Sequence, residues 1–370
     1  MPASTASAGA PAAPPHAGRP LRFLILADDR FGPMSSKTAN ACLRYTPERA
    51  AAVLDASQAG RTADDVLGFG GPVPVIATLD EGLAFDPTAV LVGIAPQGGQ
   101  LPEEWRALLA RAARRGLDVW SGLHTHLADD STLVAAAREG GARLVDLRRP
   151  PEDLTVASGR VRDVEPTVVL TVGSDCNIGK MTTQLQLRDA MRARGRRVAF
   201  APTGQTGILI EGRGIAVDAV VADFIAGAAE RLVLEAAPGA DVVLVEGQGS
   251  IIHPSYSGVT YGLLHGSLPH AMVLCHQPSR RAINNHPWVA LPSLSDLVRM
   301  HEAAAAPLRP APVVAVALNT FDLDEAAARS AVAAAGRETG LPATDPVRFD
   351  PASIAEAIER FHDRRVGAAV

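Results

Sequence analysis

The sequence predicts an α/β protein made of two consecutive parallel-sheet halves, and three observations carry that expectation. Past residue 20, short apolar runs of strand length alternate with helix-length segments along almost the whole chain. A proline-rich break, RRPPEDL at 148–154, interrupts the alternation and marks a domain boundary, because paired prolines continue neither a helix nor a central strand. The alternation then restarts at 167 with an apolar strand that feeds a glycine loop, a lysine and a helix.

At 370 residues the chain has room for two domains, and 47% hydrophobic residues supply their cores. The net charge of −5 offers no cationic excess to neutralise a phosphate backbone, which argues against a general nucleic-acid binder. Aromatic residues, at 4%, are too sparse for a stacking surface along single strands or sugars. Cys42, Cys176 and Cys275 are too few and too widely spaced for a disulfide framework or a zinc cluster, and they fit a reducing, cytoplasmic compartment. No apolar run is long enough to span a bilayer, so no membrane partner is expected. Residues 1–20, rich in Ala, Pro, Ser and Gly, lack the charged start and apolar stretch of a signal peptide and read as a disordered tail.

The first half, 21–150, opens with RFLILADD (22–29), an apolar run ending in acid that reads as a buried strand. RAAAVLD (49–55) is a second strand, and residues 73–77 form a third before a helix that starts near Thr78. AVLVGIAP (89–96) is a strand running into the glycine-rich loop PQGGQ. A helix is predicted over 102–115, with Trp105, Leu108, Leu109 and Ala112 on one face and Gly116 at its C-terminal cap. LDVWSGL (117–123) is a strand, and residues 131–148 hold a helix followed by a strand. This rhythm is Rossmann-like, yet no G-x-G-x-x-G follows the first strand. The half is therefore expected to bind no dinucleotide, and to shape a substrate cleft or the interface of a homo-oligomer. His124 and His126 form an H-x-H pair with no third ligand placed by sequence; with Asp129 and Asp130 they read as a strand end and a helix cap, and no metal is expected.

The second half, 151–370, carries the most informative segment. In TVVLTVGSDCNIGKMTT (167–183) the loop Gly173, Ser174, Asp175, Cys176, Asn177, Ile178, Gly179, Lys180 lies between a strand and a helix that begins with Met181 and Thr182. This setting makes a phosphate loop: backbone N–H groups point inward, the glycines allow close approach, the helix N-terminus is electropositive and Lys180 supplies a compact cation. The spacing is G-x5-G-K, one residue longer than the common form, and Met181 stands where a nucleotide triphosphatase has the hydroxyl that ligates Mg²⁺. A thioether is a poor ligand for that hard cation. Cys176 sits at a helix N-terminus, where a thiol can be activated, although a loop of this kind also simply needs small residues.

Further strands are expected in DVVLVEGQGS (241–250), AMVLCHQP (271–278) and PVVAVALNT (312–320), and a last helix in PASIAEAIERF (351–361). Ligands of open sheets sit at the carboxyl ends of strands. Glu246 ends one of them and can hold a metal, orient a substrate amine, act as base or cap a neighbouring helix. His276 ends another and is a second candidate base. Thr203 and Gln205, in the polar loop 203–207, are candidate substrate contacts, and Arg280 or Arg281 can fork onto a substrate carboxylate or be surface charge. Asp218 and Asp223 lie on a segment that faces either cleft or solvent, and His253 follows the Glu246 loop; none of the histidine spacings matches a metal signature.

These motifs resemble dethiobiotin synthetase and its relatives: a G-x5-G-K loop with Asp175 at its third place, a strand ending Glu246-Gly-x-Gly, and a later strand ending in Asn319. The resemblance implies a P-loop NTPase-like second domain in which the loop binds nucleotide phosphates, Glu246 helps hold Mg²⁺ and Asn319 reads the base. A closer resemblance runs through KTANACLRY, VLDASQAG, VGIAPQGGQLPEEW, GLDVWSGLHTHLADD, VGSDCNIGKMTT, VEGQGS and LCHQPSR. They are similar to a family catalogued as a domain of unknown function, with a Rossmann-like N-terminal and a P-loop C-terminal domain, to which D-glutamate N-acetyltransferases belong. It implies transfer of acetyl from acetyl-CoA to the amine of a small amino acid, D-glutamate in the characterised members. A loop without its Mg²⁺ ligand can still hold the diphosphate of coenzyme A through amides and Lys180. Two alternatives stand beside this: an enzyme that uses ATP with Mg²⁺ to activate a carboxylate, and a non-catalytic nucleotide-binding protein.

Overall fold

The computed structural model describes residues 19–33, 35–94 and 101–368. The tail through residue 18 and the loop PQGGQ lie outside the described residues. The chain forms two compact units: one holds the residues up to Pro151 together with Gln205–Ala219, the other holds Glu152–Gly204 and Val220–Val370. The protein is α/β, with a six-stranded parallel sheet in each unit.

In the first unit the order of elements is β1 (Phe23–Leu26), α1 (Lys37–Tyr45), β2 (Ala50–Leu54), α2 (Ala63–Leu67), β3 (Val75–Ile76), α3 (Leu79–Leu83), β4 (Ala89–Val92), α4 (Glu103–Arg114), β5 (Asp118–Ser121), α5 (Ser131–Gly140) and β6 (Leu144–Asp146). The strands lie in the order β3-β2-β1-β4-β5-β6, the doubly wound arrangement with its reversal between β1 and β4. The central strands FLIL and AVLV are buried along their whole length, as strands covered on both faces must be. One core face gathers Leu24, Leu26 and Val90 with Trp105 and Leu109 of α4. The other gathers Phe23, Ile25 and Val53 with Cys42 and Leu43 of α1, and it also takes Ile208, Leu209 and Ala216 from the 205–219 segment. Asp130 caps α5 by accepting from the N–H groups of Thr132 and Leu133, which settles the cap between Asp129 and Asp130. Helix α1, KTANACLRY, is short and amphipathic and is not assigned from sequence; it buries Ala39, Cys42 and Leu43 on one face.

The second unit runs β7 (Thr167–Gly173), α6 (Lys180–Ala193) and β8 (Val198–Ala201). The chain then leaves for α7 (Gln205–Glu211) of the first unit and returns as α8 (Ile225–Ala236). It continues through β9 (Val242–Val245), α9 (Ser257–Ser267), β10 (Ala271–His276), a hairpin β11 (Ala282–Ile283) and β12 (His286–Ala290), α10 (Leu294–Ala305), β13 (Val313–Leu318), α11 (Glu325–Thr339), β14 (Ala343–Thr344) and α12 (Ala352–Gly367). The sheet order is β14-β13-β10-β7-β9-β8, so β7 is central and its seven residues TVVLTVG are all buried. No helix among the described residues is long and apolar enough to cross a membrane.

Candidate functional site

Strand register assembles the site at the carboxyl end of the second sheet. Gly173 of β7 lies opposite Cys275 of β10, and His276 lies opposite Leu318 of β13. The residues that follow these strands therefore leave the sheet side by side: Ser174 N–H donates to the Cys275 carbonyl, and Asn319 N–H to the His276 carbonyl. On the other flank Val245 of β9 is level with Leu170 of β7 and Ala201 of β8, which brings Glu246 and the 202–204 turn to the same edge.

The loop itself is tightly wound. Gly179 has φ +100°, a conformation that only glycine adopts without strain, and it opens α6. A Cβ at Gly173 would stand 2.7 Å from Ile178 Cδ1 and 3.3 Å from Lys180 Nζ, so the lysine and the loop wall occupy the space that any side chain there would need. Lys180 is 6% exposed, and its ammonium donates across the loop to the Asp175 carbonyl at 2.6 Å. The arrangement presents a buried cation and a helix N-terminus at one point, which suits an anion.

Asp175 ties the loop together. It is fully buried, accepts from the N–H of Cys176 at 2.6 Å and from the N–H of Asn284 at 2.8 Å, and pairs with the Arg280 guanidinium. Arg280 also donates to the Cys176 carbonyl and to Gln277 Oε1, each at 2.8 Å. The structure thus places Arg280 on the loop's own acid and carbonyls. Arg281, its neighbour, has no such bonds described. Ser174 is buried and its Oγ lies 2.9 Å from His276 Nδ1. Burial pushes the His276 ring down to about 4, so it is neutral at neutral pH. Cys176 is half-buried, Asn177 exposed, Ile178 buried, and Met181 and Thr182 half-buried in the first turn of α6. Thr183 turns into the sheet, where its Oγ1 meets the Cys275 thiol at 3.6 Å. Asn319 lies against the loop, its Nδ2 3.8 Å from the Cβ position of Gly179.

Glu246 is 6% exposed, and one carboxylate oxygen accepts from the N–H groups of Thr203 and Gly204 at 2.9 and 3.1 Å. Thr203 returns a bond from its hydroxyl to the Glu246 carbonyl at 2.9 Å, and Gln248 donates to the Thr203 carbonyl. These bonds lock the ends of β8 and β9 to each other. Gln205 is not part of this cluster: it opens α7 in the first unit and packs on Gly122. Asp218 pairs with Arg148 in that unit, and Asp223 is exposed. His126 lies 3.6 Å from Asp129 in the first unit.

One grouping escapes sequence reasoning. His253, 3% exposed, brings Nε2 to 3.9 Å from Asp175 Oδ1, and the ligand-type atoms of Asp175, Cys176 and His253 lie within 4.8 Å of one another. The 250–256 loop folds back because Gly249, at φ +66°, lets the chain approach to where a Cβ would be 2.4 Å from the Tyr256 carbonyl. The His253 ring stacks on Tyr256 at 4.6 Å and meets His286 of the hairpin at 5.1 Å. The conspicuous signal for this return is the glycine pair around Gln248, and it says nothing of where the next histidine lands.

Comparison with known proteins accords with both halves. Residues 155–355 match the family described as "Domain of unknown function (DUF1611_C) P-loop domain", and residues 56–150 match "Domain of unknown function (DUF1611_N) Rossmann-like domain". A protein of Tritonibacter scottomollicae named D-glutamate N-acetyltransferase is 39% identical over 289 residues, covering 76% of this chain and 84% of the relative. A Pseudoalteromonas protein of the same name is 37% identical over 262 residues, 70% of this chain and 77% of the relative. The crystal structure of a DUF1611 family protein from Anabaena variabilis superposes with a TM-score of 0.88 at 39% identity, covering 92% of this chain and all of that one.

Proposed function

We propose a function from one premise: the chain belongs to the DUF1611 family, whose relatives include acetyltransferases. Within that family we read it as an N-acetyltransferase that moves acetyl from acetyl-CoA to the amine of a small amino acid, with D-glutamate as the first acceptor to test. The observation that carries the reading is the loop. Lys180 is buried among glycine-loop amides while Met181 stands at the usual Mg²⁺-ligand position. This favours an anionic cofactor gripped without a divalent ion over ATP with Mg²⁺.

The residues present fit coenzyme A at its diphosphate. Lys180 and the N–H groups at the Gly179 end of the loop would hold it, the Ser174 and Cys176 N–H groups being bonded to the Cys275 carbonyl and the Asp175 carboxylate, with Asn319 beside Gly179 at the loop's edge. The cofactor supplies an activated acetyl thioester. The chain must then accept a proton from the substrate ammonium and offer donors to the developing oxyanion. The candidate proton acceptors are Glu246 and His276. The Glu246 carboxylate is held by two backbone N–H groups, and the burial that leaves the His276 ring unprotonated above about pH 4 also makes it a weak base, bonded through Nδ1 to Ser174.

The test is release of free thiol from acetyl-CoA against a panel of D- and L-amino acids. Acceptor-dependent release, strongest with D-glutamate and abolished in Lys180→Ala, is the expected result. Phosphate release from ATP with Mg²⁺ and no thiol release would replace this reading with a carboxylate-activating one.

A further inference from the structure

Asp175, Cys176 and His253 offer a carboxylate oxygen, a sulfur and a ring nitrogen within 4.8 Å of one another, a donor set that zinc favours. The tautomer of His253 argues for the opposite kind of ligand. Its Nδ1 lies 3.1 Å from the backbone nitrogen of Ser255. A backbone N–H only donates, so Nδ1 must keep its lone pair to receive it. The neutral ring then carries its proton on Nε2, the atom 3.9 Å from Asp175 Oδ1, and no lone pair is left there for a metal. Protonating Nδ1 would set two N–H groups head to head. The ring is 3% exposed and is held between Tyr256 and His286, so it does not turn freely.

The charges around it agree. Lys180 and Arg280 both donate into the same loop, and the Asp175 carboxylate is already matched by Arg280. Burial holds the His253 ring below its usual range; Asp175 pulls the other way, and His286 and Lys180 deepen the depression. The titratable groups that face the ring are therefore Asp175, Cys176, Lys180, Tyr256 and His286.

We propose that His253 is a neutral hydrogen-bond donor whose Nε2–H, directed at the phosphate loop, binds an anionic oxygen of the ligand, and that it serves neither as proton acceptor nor as metal ligand. The proposal rests on the reading of the loop as an anion site. The oxygen has two sources, a cofactor phosphate or the oxyanion formed during acetyl transfer.

Three measurements test it: ring NMR, ligand binding and the kinetics of acetyl transfer. Nitrogen-15 NMR of the histidine rings in the whole protein should show His253 as the Nε2–H tautomer, titrating below the ordinary histidine range. Titration of adenosine diphosphate and of coenzyme A should then be compared for the wild type, His253→Ala and His253→Gln, the last keeping an N–H donor. If the oxygen is a phosphate, the Ala variant binds both ligands roughly tenfold more weakly and Gln restores most of the loss. If it is the oxyanion, affinities hold, while kcat falls roughly tenfold in Ala at unchanged KM and recovers in Gln. An Nδ1–H tautomer, a ring titrating in the ordinary histidine range, or stoichiometric Zn²⁺ binding lost in Cys176→Ala would overturn the proposal. So would Ala and wild type being alike in both assays. If the wild type binds neither ligand, the reading of the loop fails and the ligand half of this proposal fails with it, while the tautomer is judged by NMR alone.

Discussion

Each unit has a turn that leaves a central strand of a parallel sheet, and the two turns have opposite polarity. In the second unit the 173–180 loop presents glycines, a buried ammonium and the start of α6. In the first unit the turn after β1 presents Asp28 and Asp29, at φ +43° and +57°, and it uses acids to satisfy its own amides. Asp29 accepts from Ser57 N–H at 2.9 Å, and Asp55, 1% exposed, accepts from Phe31 N–H at 2.7 Å and Gln58 N–H at 3.1 Å. A cavity of 350 Å³ lies at these strand ends, but Asp28, Asp29, Asp55 and Asp80 line it against a single cation, Arg111. A phosphate arriving there would meet carboxylates where the other unit offers N–H groups. The sheet supplies the place, and the turn decides the sign of what is bound.

That contrast yields graded predictions. The largest effect is expected from Lys180→Ala, which should weaken acetyl-CoA binding roughly 100-fold or more by calorimetry. Unchanged affinity would erase the difference between the two turns. Next is acid. His270, His276 and His301, all in the second unit, are pushed down by burial to about 3, about 4 and about 4. Each stays neutral when folded but takes a proton near 6.5 when unfolded, so its stabilisation is full above that pH and is lost as pH falls toward the folded value. The loss is on the order of a few kcal/mol per fully buried ring. Hydrogen exchange followed from neutral pH to pH 4 should find the second unit loosening first; earlier loosening of the first would break this ordering.

A smaller effect is expected from Asp55→Asn. It should cost about 2 kcal/mol in urea unfolding by removing a buried acceptor, with acetyl-CoA affinity unchanged. An affinity loss at full stability would mean that the first turn also binds cofactor. The smallest effect is that of a chelator, which should move acetyl-CoA affinity by less than about twofold, because the residue directly after Lys180 is Met181 and not a hydroxyl. In the same spirit NAD should not bind the first unit, as a mass titration would show.

Much of this was legible in residues 148–183 alone. The Pro-Pro break and the strand-glycine-lysine-helix sequence have local causes, and β7, the loop and α6 fall where those causes put them. The site beyond the loop is a tertiary product. Glu246, His276 and Asn319 were legible because each ends an apolar strand, and parallel register brings such ends together. His253 was not, because its position depends on a loop folding back after Gly249. The β11–β12 hairpin was missed because its turn is Asn284-Asn285 rather than a glycine pair, with Asn285 alone at φ +63°. Nor did any composition shift mark residues 205–219 as part of the first unit, since their apolar periodicity suits either core.

That last segment bears on how the protein comes off the ribosome. Ile208, Leu209 and Ala216 belong to the first unit's core, yet they are synthesised after β7, α6 and β8 of the second. Nascent chains usually finish an N-terminal domain before the next one emerges. Here that order is barred: until residue 219 is out, the first sheet has one face missing part of its cover, and a chain stopped at 151 would carry that gap permanently.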